Sequence, residues 1–291
     1  MFLNIPSKTA LAKLLKVAPY EIDSVISRRR ALYRPKKLGK PDGSCRRLLV
    51  PCGKLMLLQD KVKRHILDAI PFPSCVHGGV RGRSIVSNAR PHVQQPLVFS
   101  LDVKAFFPSV RPSRVFSIFQ SLGFGNEAAE LLMKATTWDY QLPQGCPTST
   151  ALANLALRGV DRRIQTLAET YGFAYTRYVD DLTVSGPSYL HKFRRLLQRI
   201  LESEGFHVKP EKIAIMYAGG RQLVTKLVVN TKVNVPREKR REIRSEVLRH
   251  RNNRDGGLSN AERGRLAWLT SINPTVGERL QSRVSAGKRS Q

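Results

Sequence analysis

Apolar positions along the chain follow two periodicities, and each predicts its own kind of element. Helical spacing first appears at Leu11, Leu14 and Leu15, with Val17 behind them, where Ser7 can cap the start and Pro19 closes the run. It returns over 21–30, then at Leu55, Leu58, Val62, Ile66 and Leu67 within a helix over 55–70. Phe116, Phe119 and Leu122 mark a helix over 114–124, and Ala129, Leu132 and Met133 one over 126–136. A small-residue helix is expected over about 150–166, and another over 192–203 with Phe193, Leu196, Leu197 and Ile200 inward. From Pro236 the chain turns helical and basic, with Ile243 and Val247 one turn apart, Arg254-Asp255-Gly256-Gly257 as an interruption, and helices over about 260–270 and 274–283.

Strand-like runs lie between these helices. Residues 97–103 form a candidate strand ending in an acid, and alternation puts Asp102 on the face of Val98 and Ser100, away from Phe99 and Leu101. Within 175–184 two β-favouring runs flank Asp180 and Asp181, which predicts a short hairpin with the acidic pair at its bend. Tyr33 to Pro51 reads as two strands around the turn signature Pro41-Asp42-Gly43-Ser44, and 221–230 as one further strand. Two carboxylates crowded at a bend repel each other unless a cation neutralises them, and a divalent metal with oxygen ligands does that well. A third carboxylate is then expected nearby, and Asp102 is the candidate.

Charge narrows the function further. Among 291 residues, 50 Lys+Arg stand against 22 Asp+Glu, a net charge of +28, which favours a polyanionic partner. Nucleic acid fits better than a membrane, because no apolar run approaches the ~20 residues needed to span a bilayer. Cys45, Cys52, Cys75 and Cys146 have neither paired nor zinc-site spacing, and the N-terminus has no basic segment followed by a long apolar one, so a reduced, cytoplasmic protein is expected. The loop from His77 to His92 adds glycines that let a ligand approach the backbone, with Arg81 and Arg83 as positive charges beside them.

In order, the chain presents an acid-ended strand at Asp102, Leu142-Pro143-Gln144-Gly145, Tyr178-Val179-Asp180-Asp181, and Lys212 in the segment that follows Gly205. This succession resembles the palm of a reverse transcriptase, and Asn88-Ala89-x-x-His92 resembles the element that marks the retron type. The resemblance runs from about Tyr33 to near the C-terminus. It implies an α+β right-hand polymerase whose palm is an antiparallel sheet backed by helices. Residues 1–32 would be N-terminal helices, 33–96 fingers, 97–230 palm with finger-side helices inserted, 231–284 a helical thumb and 285–291 a tail.

Further roles are implied by the same resemblance. Asp102, Asp180 and Asp181 would be catalytic and, with Val103 in the same set, would hold two Mg²⁺ ions. Lys40 and Arg46 would hold the incoming triphosphate, Gln144 and Gly145 would contact the nucleotide, and Lys212, with Lys209 close by, would stand near the leaving pyrophosphate. Phe107 would exclude a 2′-hydroxyl. Arg81, Arg83, Asn88, His92, Lys226, Arg240 and Arg244 would contact RNA, although retron enzymes commonly carry Val-Thr-Gly where this chain has Val224, Thr225 and Lys226. The implied partners are a cognate structured non-coding RNA and its DNA product, made branched by priming from a 2′-hydroxyl, together with dNTPs. An accessory effector protein in antiphage defence and a host RNase H, since no segment is left for one here, complete the expectation. Another bacterial reverse transcriptase, of group II intron-like or abortive-infection type, and a catalytically idle RNA-binding scaffold stay open as alternatives.

Overall fold

The computed structural model describes residues 4–39, 43, 45–252 and 258–286. Lys40, Pro41, Asp42 and Ser44 of the expected turn, the interruption at 254–257 and the end of the tail lie outside the described residues. Helix α1 (Lys8–Leu15) begins where the Ser7 hydroxyl accepts a hydrogen bond from the Ala10 amide at 3.3 Å, satisfying one of the amides that a helix start leaves open. Helix α2 (Pro19–Arg28) follows, and the Glu21 carboxylate accepts from the Ala18 amide at 2.8 Å. Strands β1 (Tyr33–Gly39) and β2 (Cys45–Pro51) form an antiparallel hairpin whose burial falls from Tyr33 outward, so it projects from the body. Helix α3 (Gly53–His65) is shorter than the pattern suggested, because the backbone changes at Ile66 into a separate 3₁₀ turn over Leu67–Ala69.

Helix α4 (Ile85–Ala89) leads to β3 (Leu97–Asp102), then α5 (Phe106–Ser109), α6 (Pro112–Ser121) and α7 (Asn126–Thr136). The single helix expected over 150–166 is two: α8 (Ser149–Ala156) and α9 (Arg158–Tyr171) break at Leu157, where ψ is 4°. Gly159, two residues on, is the only helix-weakening residue beside this break. Strand β4 (Ala174–Tyr178), β5 (Asp181–Gly186), α10 (Arg194–Ser203) and β6 (Ala214–Tyr217) complete a sheet ordered β4-β5-β3-β6, antiparallel throughout.

The strand expected over 221–230 is instead a tight hairpin of β7 (Leu223–Val224) and β8 (Leu227–Val228). Thr225 and Lys226 between them have φ of 46° and 66°, the sign pattern of a type I′ turn. Lys226 therefore fills a left-handed position that glycine takes without strain, which gives the Val-Thr-Gly triplet a conformational reason. Helices α11 (Arg237–Asn252), α12 (Asn260–Ile272) and α13 (Pro274–Ala286) end the chain.

The alternation read along β3 separates two cores. Phe99 and Leu101, each 1% exposed, pack with Leu182, Val184 and the helices on one side. Val98 packs on the other with Val224, Leu227, Ile243, Val247 and Leu269. Truncating Phe99 to Ala would cost ~3–5 kcal/mol through lost contacts and a cavity. With both faces occupied, β3 holds its C-terminal acid in a fixed place. Among the described residues no helix is long and apolar enough to cross a membrane.

Candidate active site

Register brings the acids together. Asp102, the last residue of β3, pairs directly with Asp181, the first residue of β5, and the hairpin bend places Asp180 beside them. The Val103 amide donates to the Asp180 carbonyl at 3.0 Å, tying the bend to the end of β3. On the other flank the Lys209 amide donates to the Asp102 carbonyl at 2.9 Å, and the Lys104 amide to that of His207 at 2.7 Å. Three segments distant in sequence thus meet at one end of the two central strands.

The carboxylates differ in their company. Lys209 Nζ binds Asp102 Oδ1, and Lys212 Nζ binds Oδ2 at 3.2 Å. Among the described residues, ion pairs reach Asp102 but neither Asp180 nor Asp181. Burial first, then the charges of Asp180 and Asp102, push the Asp181 carboxyl up to about 7. Asp180 is raised as well, by burial and then by Asp102. Lys212 holds its proton more tightly than usual, chiefly through its hydrogen bond to Asp102.

This is a site short of positive charge, and a divalent cation fits that shortage. Among the described residues no three His, Cys, Asp or Glu side chains make a metal cage by themselves. Mg²⁺ does not require one: it keeps waters and is commonly bound through one or two carboxylates plus substrate phosphates.

Asp180 borders a cavity of about 1350 Å³ that also takes in Arg46, Phe107, Gln144, Tyr178 and Lys209. Phe107 presents part of its ring there. Phe106, 2% exposed, packs on Phe206 and also touches the Phe107 ring, with centroids 5.6 Å apart, so it is the buried member of the pair and backs Phe107 from the core side. The Gln144 carbonyl accepts from the Leu49 amide at 2.7 Å, which fixes the 142–145 loop against β2, while its side-chain Oε1 is buried without a partner. Gly145, at φ 105°, leaves so little room that a Cβ would stand 3.3 Å from the Leu49 carbonyl oxygen. Lys36, Lys37 and Arg47 also line the cavity. Sequence reading passed over these three, although their density in one projecting hairpin was a signal.

The residues expected at RNA fall into different surroundings. His92 is 0% exposed, with Nδ1 2.6 Å from Ser185 Oγ and Nε2 2.7 Å from Thr176 Oγ1, and burial lowers its pKa to about 3. It is a neutral fastener across β4 and β5, not a side chain offered to RNA. Asn88 is also 0% exposed, and its carbonyl accepts from the Thr176 hydroxyl at 3.2 Å. The Arg83 guanidinium is spent on backbone carbonyls of its own loop, those of Pro73 and Val76 and that of Phe72 at 3.1 Å. Arg81, Lys226 and Arg244 are exposed. Arg240 and Arg244 face a separate cleft of about 430 Å³ between α11 and α13, with Arg237, Arg241, Arg279 and Arg283 around an apolar floor of Val276 and Leu280.

Comparison with known proteins places this geometry. Residues 38–248 match the family described as reverse transcriptase (RNA-dependent DNA polymerase). The retron Mx65 reverse transcriptase of Myxococcus xanthus is 35% identical, the match covering 89% of this chain and 67% of that protein. The retron Ec86 reverse transcriptase of Escherichia coli is 34% identical over 87% of this chain and 80% of its own length. Among solved structures, telomerase from Candida albicans, in complex with a fragment of telomeric RNA, superposes with a TM-score of 0.52 at 12% identity, over 92% of this chain and 59% of that one. That likeness supports the fold alone. Reverse transcriptases generally use divalent metal ions, in keeping with the shortage of positive charge at the three aspartates. By this match and its identity to the retron enzymes, the chain belongs to the reverse transcriptase family and is an RNA-directed DNA polymerase of retron type.

Proposed function

We propose that the four-stranded sheet is the palm of this polymerase and that Asp102, Asp180 and Asp181 hold two Mg²⁺ ions at the end of its central strands, Val103 standing in the same set. The observation that carries this reading is the direct pairing of Asp102 with Asp181 beside Asp180 at a cavity that also takes in Arg46, Phe107 and Gln144. When bound, such ions supply positive charge for ionising the primer hydroxyl and for the departing pyrophosphate. The protein's own residues do the rest. The projecting β1–β2 hairpin serves as fingers, with Lys40 and Arg46 gripping the triphosphate. Gln144 and Gly145 contact the nucleotide from the loop held against β2, and Phe107 excludes a 2′-hydroxyl by bulk.

Lys209 and Lys212 neutralise Asp102 by pairing with its two carboxylate oxygens, the same oxygens that would hold an ion. Lys212, whose proton is held by Asp102, can donate toward pyrophosphate only after that pairing breaks. In this reading the fingers span 33–96, the palm 97–230 and the thumb 231–284. The arginine-lined cleft of the thumb grips the backbone of a folded RNA stem, since dense arginine without stacking aromatics suits phosphate and shape readout. The enzyme acts in the cytoplasm on a dedicated non-coding RNA, primes from a 2′-hydroxyl within it and leaves a branched RNA–DNA. A host RNase H trims the template, and an accessory effector links the product to antiphage defence.

Purification with its bound nucleic acid tests this function. One structured RNA should be enriched, carrying DNA that a 2′–5′ debranching nuclease releases. DNA started from the 3′ ends of unrelated RNAs, with no branch, would contradict the reading.

A further inference from the structure

The bend that carries Asp180 is held in a conformation its own sequence disfavours. Between Tyr178 and Asp181, which pair across the hairpin, the two bend residues are Val179 and Asp180. Val179 has φ 59° and Asp180 does not share the positive sign, the pattern of a type II′ turn, whose first central residue is ordinarily glycine. A β-branched residue there is an outlier that surrounding structure must hold in place.

The structure supplies that hold from beneath. Arg177 is 0% exposed and its Nη1 donates to the Val179 carbonyl at 2.8 Å. Asp161 fixes the guanidinium from the far side by two hydrogen bonds, to Nε at 2.7 Å and Nη2 at 2.6 Å, and Asn154 Oδ1 accepts from Nη1 at 2.8 Å. Asn154 in turn donates to the Gly78 carbonyl at 2.8 Å. Gly78 lies flat against the bend: a Cβ there would stand 2.4 Å from the Val179 nitrogen. Val179 borders the cavity beside Asp180, but Arg177, Asp161, Asn154 and Gly78 do not line it, so the network behind the bend serves the backbone and not a substrate.

We propose that Arg177 is a positioning residue: anchored by Asp161 and Asn154, it holds Val179 in its left-handed conformation and so sets the aim of Asp180 and Asp181. This rests on the assignment of those aspartates as metal ligands. A fork is needed, because one group must grip a carboxylate with two nitrogens while a third atom reaches the carbonyl. Lysine keeps the charge opposite Asp161 but cannot make both sets of contacts.

The test measures Arg177→Lys, Val179→Gly and the double variant in the full chain with its RNA. Arg177→Lys should keep RNA affinity within twofold, lose at least tenfold in kcat, and bind Mn²⁺ several-fold more weakly by the free-ion paramagnetic resonance signal, read without dNTP. Because glycine accepts φ 59° unaided, the Arg177→Lys loss in both readouts should shrink to under threefold in the Val179→Gly background. An equal loss in both backgrounds, or an unchanged Mn²⁺ affinity, would overturn the proposal. Should Arg177→Lys fail to fold, Gly78→Ala decides, since it pushes the same bend and leaves the Arg177–Asp161 pair alone: weaker Mn²⁺ binding and lower kcat support the proposal, and normal values refute it. Asp180→Asn, run alongside, separates the two claims, for a fully active Asp180→Asn enzyme would remove the metal assignment itself.

Discussion

Replacing Asp181 by Asn should make the metal-free protein more stable while impairing its chemistry. The Asp181 carboxyl is raised from 3.8 to about 7, first by burial and then by Asp180 and Asp102. In the unfolded chain the group ionises near 3.8, so the folded state binds its proton more tightly. Stability from this group is fully present below pH 3.8 and is lost as pH rises to about 7. At 1.36 kcal/mol per pKa unit the full rise corresponds to ~4 kcal/mol, and relaxation with water entry brings the expected effect to about 2–4 kcal/mol. Asn carries no such penalty.

Thermal unfolding in EDTA at pH 8 should therefore show Asp181→Asn melting roughly 5–10 °C above the parent, the difference shrinking toward zero near pH 4. Mg²⁺ should then raise the melting temperature of the parent more than that of the variant, because an ion that binds only the folded state stabilises it by mass action. A variant no more stable than the parent at pH 8, or a gain that does not fall with pH, would refute the view that Asp181 is buried short of positive charge.

Other perturbations address separate parts of the account. Phe107→Ala should raise ribonucleotide over deoxynucleotide incorporation at least tenfold, about 1.4 kcal/mol of discrimination, in a competition assay with both triphosphates; an unchanged ratio in an active enzyme would remove the steric role. Lys226→Gly should stabilise the fold by about 0.5–1 kcal/mol in denaturant titration, by relieving a left-handed residue, and should lower the salt slope of RNA binding by somewhat under one unit if Lys226 touches phosphate. His92→Ala should cost ~2–4 kcal/mol of stability, since the Ser185 hydroxyl loses its partner and Thr176 keeps only its bond to the Asn88 carbonyl in a closed space, yet leave the RNA salt slope unchanged; a lower slope would return His92 to the RNA surface.

The central geometry was legible because it rests on short-range patterns. Alternation along β3 assigns Asp102 to the face of Val98, and β-favouring runs around Asp180 and Asp181 predict the hairpin one residue out of place: its bend is Val179 and Asp180, and Asp181 already opens β5. What stayed hidden depends on partners far away in the chain. Arg177 sits in a strand where nothing local distinguishes a buried guanidinium from an exposed one. Asp161 did leave a trace, as a carboxylate on the apolar face of α9 with Val160, Ile164 and Ala168. The turn at Thr225 and Lys226 was missed because neither residue is the glycine that normally marks a positive φ. The Asn88-Ala89-x-x-His92 motif carries the family resemblance but not the surroundings of its side chains, because Ser185 and Thr176, which neutral His92 bridges, lie more than eighty residues on in sequence.

The most direct test of the account is DNA synthesis by Asp180→Asn on the RNA that accompanies the protein, with RNA affinity measured on the same preparation. The bend places Asp180 beside the Asp102–Asp181 pair and at the cavity that holds Arg46, Phe107 and Gln144, so its loss should abolish divalent-metal-dependent dNTP incorporation. Phosphate contacts elsewhere should keep RNA binding within a few-fold. Undiminished incorporation by the variant would contradict the assignment of this end of the central strands as the catalytic centre.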